Sequence, residues 1–196
     1  MRFDEVVRKR RMVRNFRRKQ IPAETIAKIL NLALRAPSAG YTQGWAYVVV
    51  TDQKIRRKIG ELQGEFDYYA RRRHKFISEA PVLIVACISE QLYHDRYREP
   101  DKLKNGGQEI EWTVPFWYFD IGGACTIIFL ATVNEGLAAA FTGVFRQQQM
   151  KELLGIPNNF LPVGVVSIGY PKKDVKSSSL RRGPRLSKDV IHCDRW

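Results

Sequence analysis

The chain contains a run, PVLIVACI, in which every position from Pro81 to Ile88 is apolar or small. A run without a polar position is typical of a β-strand that is buried on both faces. A second apolar run, PVGVVSIGY from Pro162, has the same character. Helical patterns alternate with these strands, which predicts an α/β or α+β sandwich. The predicted helices cover residues 22–35, 52–63, 117–136 and 146–155, and two further strands cover residues 46–51 and 137–141.

The length and composition favour one folded domain over residues 1–196. Apolar residues make up 44% of the 196 residues and aromatic residues 11%, which argues against disorder. The longest apolar run, residues 121–133, is shorter than the about 20 residues that cross a bilayer, and the N-terminus is charged rather than signal-like. Cys87, Cys125 and Cys193 have no metal-binding spacing. We therefore expect a cytoplasmic protein with no membrane partner and no metal.

The formal net charge of +13 is concentrated at the two ends of the chain. Residues 1–19 contain nine Lys and Arg against two acidic residues, and residues 171–196 contain eight against three. The body between them is nearly neutral. Two basic ends can be solvated tails, a nucleic-acid surface, or two arms that converge on a small anion. Composition alone favours solvated tails.

Recognisable catalytic side chains are missing from the sequence. His74, His94 and His192 lie in polar or terminal segments, without a partner Ser, Cys or carboxylate at a known spacing. The sequence also has no nucleophile elbow, zinc-protease helix, P-loop or dinucleotide fingerprint. An enzyme can lack such residues when a bound cofactor performs the chemistry.

Three stretches together suggest such a cofactor. RKRRMVRNF, residues 8–16, places Arg10 and Arg14 one helical turn apart, where both could donate to a phosphate. RAPSAGYTQGW, residues 35–45, ends a helix at Pro37 and then continues as a turn rich in small residues. The third stretch is the basic tail RRGPRLSKDVIHCDRW, residues 181–196.

In this order, the three stretches resemble the FMN-dependent nitroreductase family. Two more segments match in register, DIGGACTIIFLATVNEGLAAAFTGVF and LLGIPNNFLPVGVVSIGYP, so that the resemblance covers essentially the whole chain. It implies an α+β fold, with a four- to five-stranded mixed sheet flanked by helices. It also implies an intertwined homodimer with two FMN sites at the interface, and a C-terminal arm, residues 172–196, that reaches the sheet edge of the partner subunit.

The resemblance further implies which residues bind FMN. An arginine motif contacts the phosphate, the ribityl chain and the pyrimidine edge, and it falls on Arg10, Arg11, Met12 and Arg14, where Met12 replaces the usual Ser. A turn that reaches the flavin of the opposite subunit falls on Pro37, Ser38 and Ala39, and Tyr41 adds an aromatic wall.

Two more parts of the site follow from the same resemblance. Backbone N–H groups that face flavin N5 fall on Thr142 and Gly143, with Ala140 and Phe141 alongside. The basic pair of the tail falls on Arg181 and Arg182, and Arg185 could compensate for Leu180, which stands where a Lys is common.

The reaction that the resemblance implies is a ping-pong transfer, in which NAD(P)H reduces FMN and is then replaced by a nitroaromatic or quinone acceptor. The alternatives are a dehalogenating or flavin-fragmenting relative, and a flavin-binding or redox-sensing module without turnover. Residues 91–116, rich in Tyr93, Tyr97, Trp112 and Phe116, form a variable insertion or lid whose rings could select the acceptor or only pack. One FMN phosphate explains both basic ends, so we expect no nucleic-acid partner.

Overall fold

The computed structural model describes residues 1–72, 74–104, 107–175 and 177–196; the side chains of Tyr68, Tyr69, Arg71 and Arg72 are not described. Helices and strands alternate along these residues as α1 (Phe3–Lys9), α2 (Ala23–Ala33), β1 (Trp45–Val50), α3 (Gln53–Leu62), α4 (Glu65–Arg72), β2 (Val82–Ile88), α5 (Glu90–Tyr97), α6 (Phe116–Asn134), β3 (Ala138–Gly143), α7 (Gln147–Leu154) and β4 (Leu161–Gly169). Short 3-10 turns cover Ala39–Tyr41, Ser178–Arg182 and Ser187–Asp189.

The strands form one sheet in the order β1-β2-β4-β3. This order makes β1 and β3 the edge strands. All three strand pairs among the described residues are antiparallel. Parallel pairing in this part of the chain is confined to a single bridge between Met12 and Ala139. The α+β class is confirmed, and the expected mixed character of the sheet rests on that bridge alone.

Strand β2 is buried at every position, as its sequence predicts. Leu83, Val85 and Cys87 pack into an apolar cluster that includes residues of α3 and α7. Val82 and Ile84 point to the opposite face, into a cluster with α2 and α6. Burial of each large aliphatic side chain contributes about 1.5–3 kcal/mol, so the two clusters hold helices on both faces of the sheet.

The N-terminal segment differs from its sequence-based prediction. Helix α1 ends at Lys9, and Arg10 has an extended backbone with φ −61° and ψ 121°. The chain then pairs along β3, where the N–H of Val13 donates to the carbonyl of Ala139 at 3.0 Å. Because the helix ends before Arg10 and the N–H of Val13 bonds to β3, the prediction that Arg10 and Arg14 lie one helical turn apart is wrong.

Helix α6 is apolar along its whole length. It is the one helix of the described chain that is long and apolar enough to cross a membrane, with a mean hydropathy of 1.6 and 44% of that window buried. Core helices of soluble folds pass the same test, and α6 packs on α2 and the sheet as a core helix does. Its exposed side carries Phe119, Gly122, Gly123 and Thr126, which we call the open face of α6.

Candidate functional site

The arginine segment, residues 10–14, lies along edge strand β3. Met12 forms its bridge with Ala139, one residue before the hydrogen bond of Val13 to the same strand. Val13 is buried, and Phe16 packs so closely on the sheet that a Cβ at Gly169 would lie 2.8 Å from its ring. The fold therefore brings the arginine segment and the predicted β3 segment together.

The backbone of β3 offers hydrogen-bond donors at its free edge. Successive residues of an antiparallel strand point alternately toward and away from the partner strand. The N–H of Val144 bonds to β4, whereas the carbonyl of Ala139 accepts a bond from the opposite side. This alternation directs the N–H groups of Phe141 and Gly143 to the free edge and that of Thr142 to β4. Of the two predicted donors, Gly143 therefore faces the free edge and Thr142 does not, whereas Phe141 does.

The carbonyl and the N–H of Gly143 both face the free edge of β3, and among the described residues only the carbonyl has partners. This carbonyl accepts a hydrogen bond from Gln63 Nε2 at 2.8 Å, and Thr142 Oγ1 lies 3.4 Å from the same oxygen. Among the described residues, the N–H groups of Phe141 and Gly143 have no partner. A Cβ at Gly143 would meet no atom within 4 Å. A flat acceptor could therefore approach this edge.

The root of the tail lies against the arginine segment. Asp174 Oδ2 accepts the backbone N–H of Arg14 at 2.7 Å, and Asn15 Nδ2 donates to the carbonyl of Lys173 at 2.5 Å. His74 Nε2 lies 3.7 Å from Asp174 Oδ1. The two basic ends of the chain therefore meet at residues 14–16 and 171–174.

None of the arginines predicted to bind phosphate has a carboxylate partner among the described residues. These arginines are Arg10, Arg11, Arg14, Arg181 and Arg182. In contrast, neighbouring Arg8 pairs with Asp4 at 2.6 Å. Arg35 and Arg57 are also unpaired within the described chain, so pairing alone does not identify a site. The position of residues 10–14 beside β3 distinguishes them.

The distal tail is separate from the arginine segment. Arg181 and Arg182 lie on an exposed 3-10 turn and, within the described ranges, form no hydrogen bond or ion pair to residues 10–14. Arg185 donates to the carbonyl of Asp189 within the tail. Within one chain, these tail arginines therefore have no described contact with the arginine segment.

The small-residue turn, residues 37–44, uses its own polar groups internally. Ser38 Oγ accepts the N–H of Gln43 at 2.9 Å, and Thr42 Oγ1 donates to the carbonyl of Ala39 at 2.7 Å. The N–H of Ala39 donates to Asp120 Oδ2 at 2.8 Å. Ala39 therefore has only its methyl group to offer a ligand, whereas the hydroxyl of Ser38 donates to no acceptor in the described part of the chain.

The backbone of this turn is strained. Tyr41 and Gln43 have φ values of 57° and 53°, in the left-handed region that costs non-glycine residues about 1–3 kcal/mol. Gly40 precedes them with φ 61°. Exposed Pro37 starts the turn, and the side chain of Tyr41 is 77% exposed, so its ring faces away from the chain. Such strain is concentrated at functional sites in proteins.

The turn and the arginine segment belong to different parts of the core. Ala36 and Trp45, which flank the turn, pack with Tyr93 and Trp117 of α5 and α6. Val13 of the arginine segment packs in the cluster of α3 and α7. Within one chain, the two predicted flavin-binding segments therefore lie over separate clusters.

The predicted insertion, residues 91–116, contains most of α5 and, in its described part, aromatic rings that pack on this helix. Tyr93 is fully buried, and the rings of Tyr97 and Trp112 meet edge to face with centroids 4.6 Å apart. The guanidinium of Arg96, hydrogen-bonded to Asp101, lowers the pKa of that carboxyl to about 2. These contacts support the packing role for the aromatic rings.

Three side chains next to the predicted site were absent from the sequence-based predictions. Gln63 holds Gly143, Asp174 holds Arg14, and Asp120 holds Ala39. Asp120 had a usable signal, because it is the single charged residue in the apolar sequence of α6. Gln63 and Asp174 lie in polar surroundings, where nothing in the sequence marks them.

Comparison with known proteins identifies the family. The model of the nitroreductase family matches residues 7–170. The chain is 32% identical over 191 residues to an Archaeoglobus fulgidus protein provisionally named NADH dehydrogenase/NAD(P)H nitroreductase, covering 95% of this chain and 94% of that protein. It is 28% identical over 201 residues to human iodotyrosine deiodinase 1, covering 93% of this chain and 65% of that protein.

A solved structure shares the fold. The nitroreductase family protein of Streptococcus pneumoniae TIGR4 superposes with a TM-score of 0.76 at 20% identity, covering 97% of this chain and 99% of that one. The family match extends from the arginine segment to the end of β4. The chain belongs to the nitroreductase family of oxidoreductases.

Proposed function

We propose that the protein is an FMN-dependent oxidoreductase that takes reducing equivalents from NAD(P)H and passes them to a nitroaromatic or quinone by a ping-pong mechanism. The observation that carries the proposal is the free edge of β3, where the N–H groups of Phe141 and Gly143 have no described partner beside exposed arginines. The nitroreductase name of the archaeal relative supports this choice of electron donor. We place the enzyme in the cytoplasm.

The donors along this edge fit the two chemically different parts of FMN. The free N–H groups suit the hydrogen-bond acceptors of a flat ring, and the guanidinium groups of Arg10, Arg11 and Arg14 suit a phosphate. When bound, FMN would supply the hydride- and electron-transfer chemistry. The N–H of Gly143, a residue whose carbonyl Gln63 holds, is then a donor toward negative charge on the ring.

We also propose that the active form is a homodimer. The open face of α6 exposes apolar surface, with Phe119 74% exposed, and the tail exposes Val190, Ile191 and Trp196. Large apolar side chains exposed on one helix face and in one tail segment are candidates for burial against a second copy. In a dimer, the small-residue turn and the tail arginines of a second copy could complete the site that one chain leaves open.

Binding of FMN by variants of the arginine segment tests the proposal. Arg10→Ala and Arg14→Ala each remove a charge-assisted contact of about 1.5–3 kcal/mol, so the Kd for FMN should rise about 10- to 100-fold. Arg8→Ala is the matched control, because Arg8 already pairs with Asp4 outside the segment. Fluorescence titration measures all three. Wild-type affinity in both Arg10→Ala and Arg14→Ala would contradict the assignment.

Reductive dehalogenation is a second candidate activity, because the iodotyrosine deiodinase relatives match 93% of the chain. A third possibility is a flavin-binding module without turnover. Oxidation of NADH and NADPH with a simple quinone, compared with iodide release from an iodophenol with NAD(P)H or dithionite as the two-electron reductant, distinguishes the three. The nitroreductase assignment predicts rapid quinone-dependent oxidation. Iodide release without quinone reduction would favour dehalogenation. If neither reaction occurs, the flavin-binding module is favoured.

A further inference from the structure

Asp120 is a buried carboxylate at the junction of α6, α5 and the small-residue turn. It is 5% exposed, and its Oδ2 accepts the N–H of Ala39 and the O–H of Tyr93, each at 2.8 Å. No cation pairs with it among the described residues. A buried carboxylate is costly unless it is hydrogen-bonded, so these two donors hold it in place. Burial and the bond to Asp120 raise the pKa of Tyr93, whose hydroxyl therefore stays protonated as a donor.

Helix α5 contacts the turn at further points. Arg96 Nε donates to the carbonyl of Gly40 at 2.9 Å. A Cβ at Gly40 would lie 2.7 Å from Tyr97 Cε2, and a Cβ at Gly44 would lie 2.5 Å from Tyr93 Cε2. Only glycine allows the turn and the helix to pack this closely. The turn and α5 therefore pack directly on each other at both glycines.

These contacts fix the strained part of the turn. Both backbone groups of Ala39 are engaged, the N–H with Asp120 and the carbonyl with Thr42. The left-handed residues Tyr41 and Gln43 follow directly and need surrounding contacts to persist. Two groups of the turn are left for a ligand: the hydroxyl of Ser38, which donates to no acceptor among the described residues, and the exposed ring of Tyr41.

We propose that Asp120, with Tyr93, is a positioning residue of the flavin site. Its hydrogen bond to Ala39 sets where the small-residue turn places Ser38 and Tyr41 against the flavin. Helix α5 thus affects the flavin site by fixing the backbone of the turn, and not by contacting the electron acceptor. The inference rests on the proposed function, because it takes the turn to face FMN.

Two variants and two matched controls test this role. Tyr93→Phe removes only the hydroxyl from Asp120, and Asp120→Asn removes the charge at nearly constant size. Tyr97→Phe is the control for the first, because its ring stays against Gly40 and its hydroxyl makes no hydrogen bond within the described chain. Asp95→Asn is the control for the second, on an exposed pair with Gln91.

The readouts distinguish a change in the position of the turn at the flavin from a loss of folding stability. At saturating FMN, Tyr93→Phe and Asp120→Asn should shift the visible spectrum and midpoint potential of the bound flavin. In separate titrations both variants should raise the FMN Kd, with an upper limit of about 10-fold set by the loss of one such bond. Loss of stability alone would lower the Tm and leave the spectrum and potential of the saturated protein unchanged. Both controls should match the wild type in every readout.

A third readout does not depend on flavin. Hydrogen exchange at the amide of Ala39 in flavin-free protein should accelerate in Asp120→Asn relative to Asp95→Asn. If the wild type binds no FMN, the proposed function fails and this inference fails with it. If the wild type binds FMN and Tyr93→Phe keeps its spectrum, potential and affinity, only the inference is overturned. Tyr93→Phe keeps the buried ring, so this result can be obtained even if Asp120→Asn does not fold.

Discussion

At the scale of single residues, a substitution at Gly143 best distinguishes an effect on folding from an effect on function. A Cβ at this position meets nothing within 4 Å, and its φ is not in the left-handed region. Gly143→Val should therefore leave the flavin-free protein as stable as the wild type or up to about 1 kcal/mol more stable, since valine suits a strand. The added side chain should obstruct the approach of the flavin ring and slow its reduction.

Thermal melts of the flavin-free variant and stopped-flow reduction by NADPH check this prediction. Gly164→Val is the opposite control, because its Cβ would lie 2.2 Å from Phe141 Cε2 and should destabilise the fold itself. Wild-type reduction kinetics in Gly143→Val would contradict the role of its N–H.

The sequence suggested single-residue roles only where a local motif carried them. The family motif pointed to Arg10 and Gly143 from short strings of sequence, and their roles stay predictions. Asp120 and Gln63 were not predictable, because each acts through a partner that is 81 or 80 positions away along the chain. Contacts of this kind exist only after the sheet and helices have packed.

At the scale of secondary-structure elements, α6 has an apolar pattern that one chain does not explain. Its open face includes Gly122 and Gly123, at which an added Cβ would meet nothing within 4 Å. If this face packs against a second copy, Gly122→Glu should convert the dimer to a folded monomer, because a carboxylate would be buried without a partner. Lys54→Glu on the polar surface of α3 is the control for the added negative charge.

Light scattering measures the mass and circular dichroism measures the fold of both variants. If the Gly122→Glu protein is still a dimer, the open face of α6 is not part of the interface. A monomeric Lys54→Glu protein would show that the effect of charge is not specific to that face.

Elements with strong periodicity were predicted well and the others were not. The apolar run that became β2 and the amphipathic pattern that became α2 were both located within two residues of their observed bounds. Helix α1 was missed, because it is short and only Val6 of its residues is buried. Helix α5 was ambiguous, because its polar sequence has no apolar face, and its position depends on the turn that it contacts.

At the scale of the whole molecule, the tail should link assembly to cofactor binding. Every residue from 178 to 196 is exposed in the single chain, including Val190, Ile191 and Trp196. If the tail packs on the sheet edge of a partner and delivers Arg181 and Arg182 to phosphate, deletion of residues 178–196 should lower dimer stability and FMN content together. This deletion keeps Asp174, which holds Arg14.

Light scattering at decreasing protein concentration and the ratio of flavin to protein absorbance measure the two effects. Loss of flavin from a protein that stays dimeric would assign the tail to phosphate binding alone. A truncated protein that stays dimeric and keeps its full flavin content would show an ordinary solvated tail.

The absorbance spectrum of the purified protein, followed by identification of the released chromophore, tests the assignment of FMN most directly. The free edge of β3 beside the arginine segment predicts a flavin band in the visible region and release of FMN at about one per chain, because each chain contributes one such edge. Protein that is colourless as purified, and that stays colourless after incubation with FMN and desalting, would contradict it.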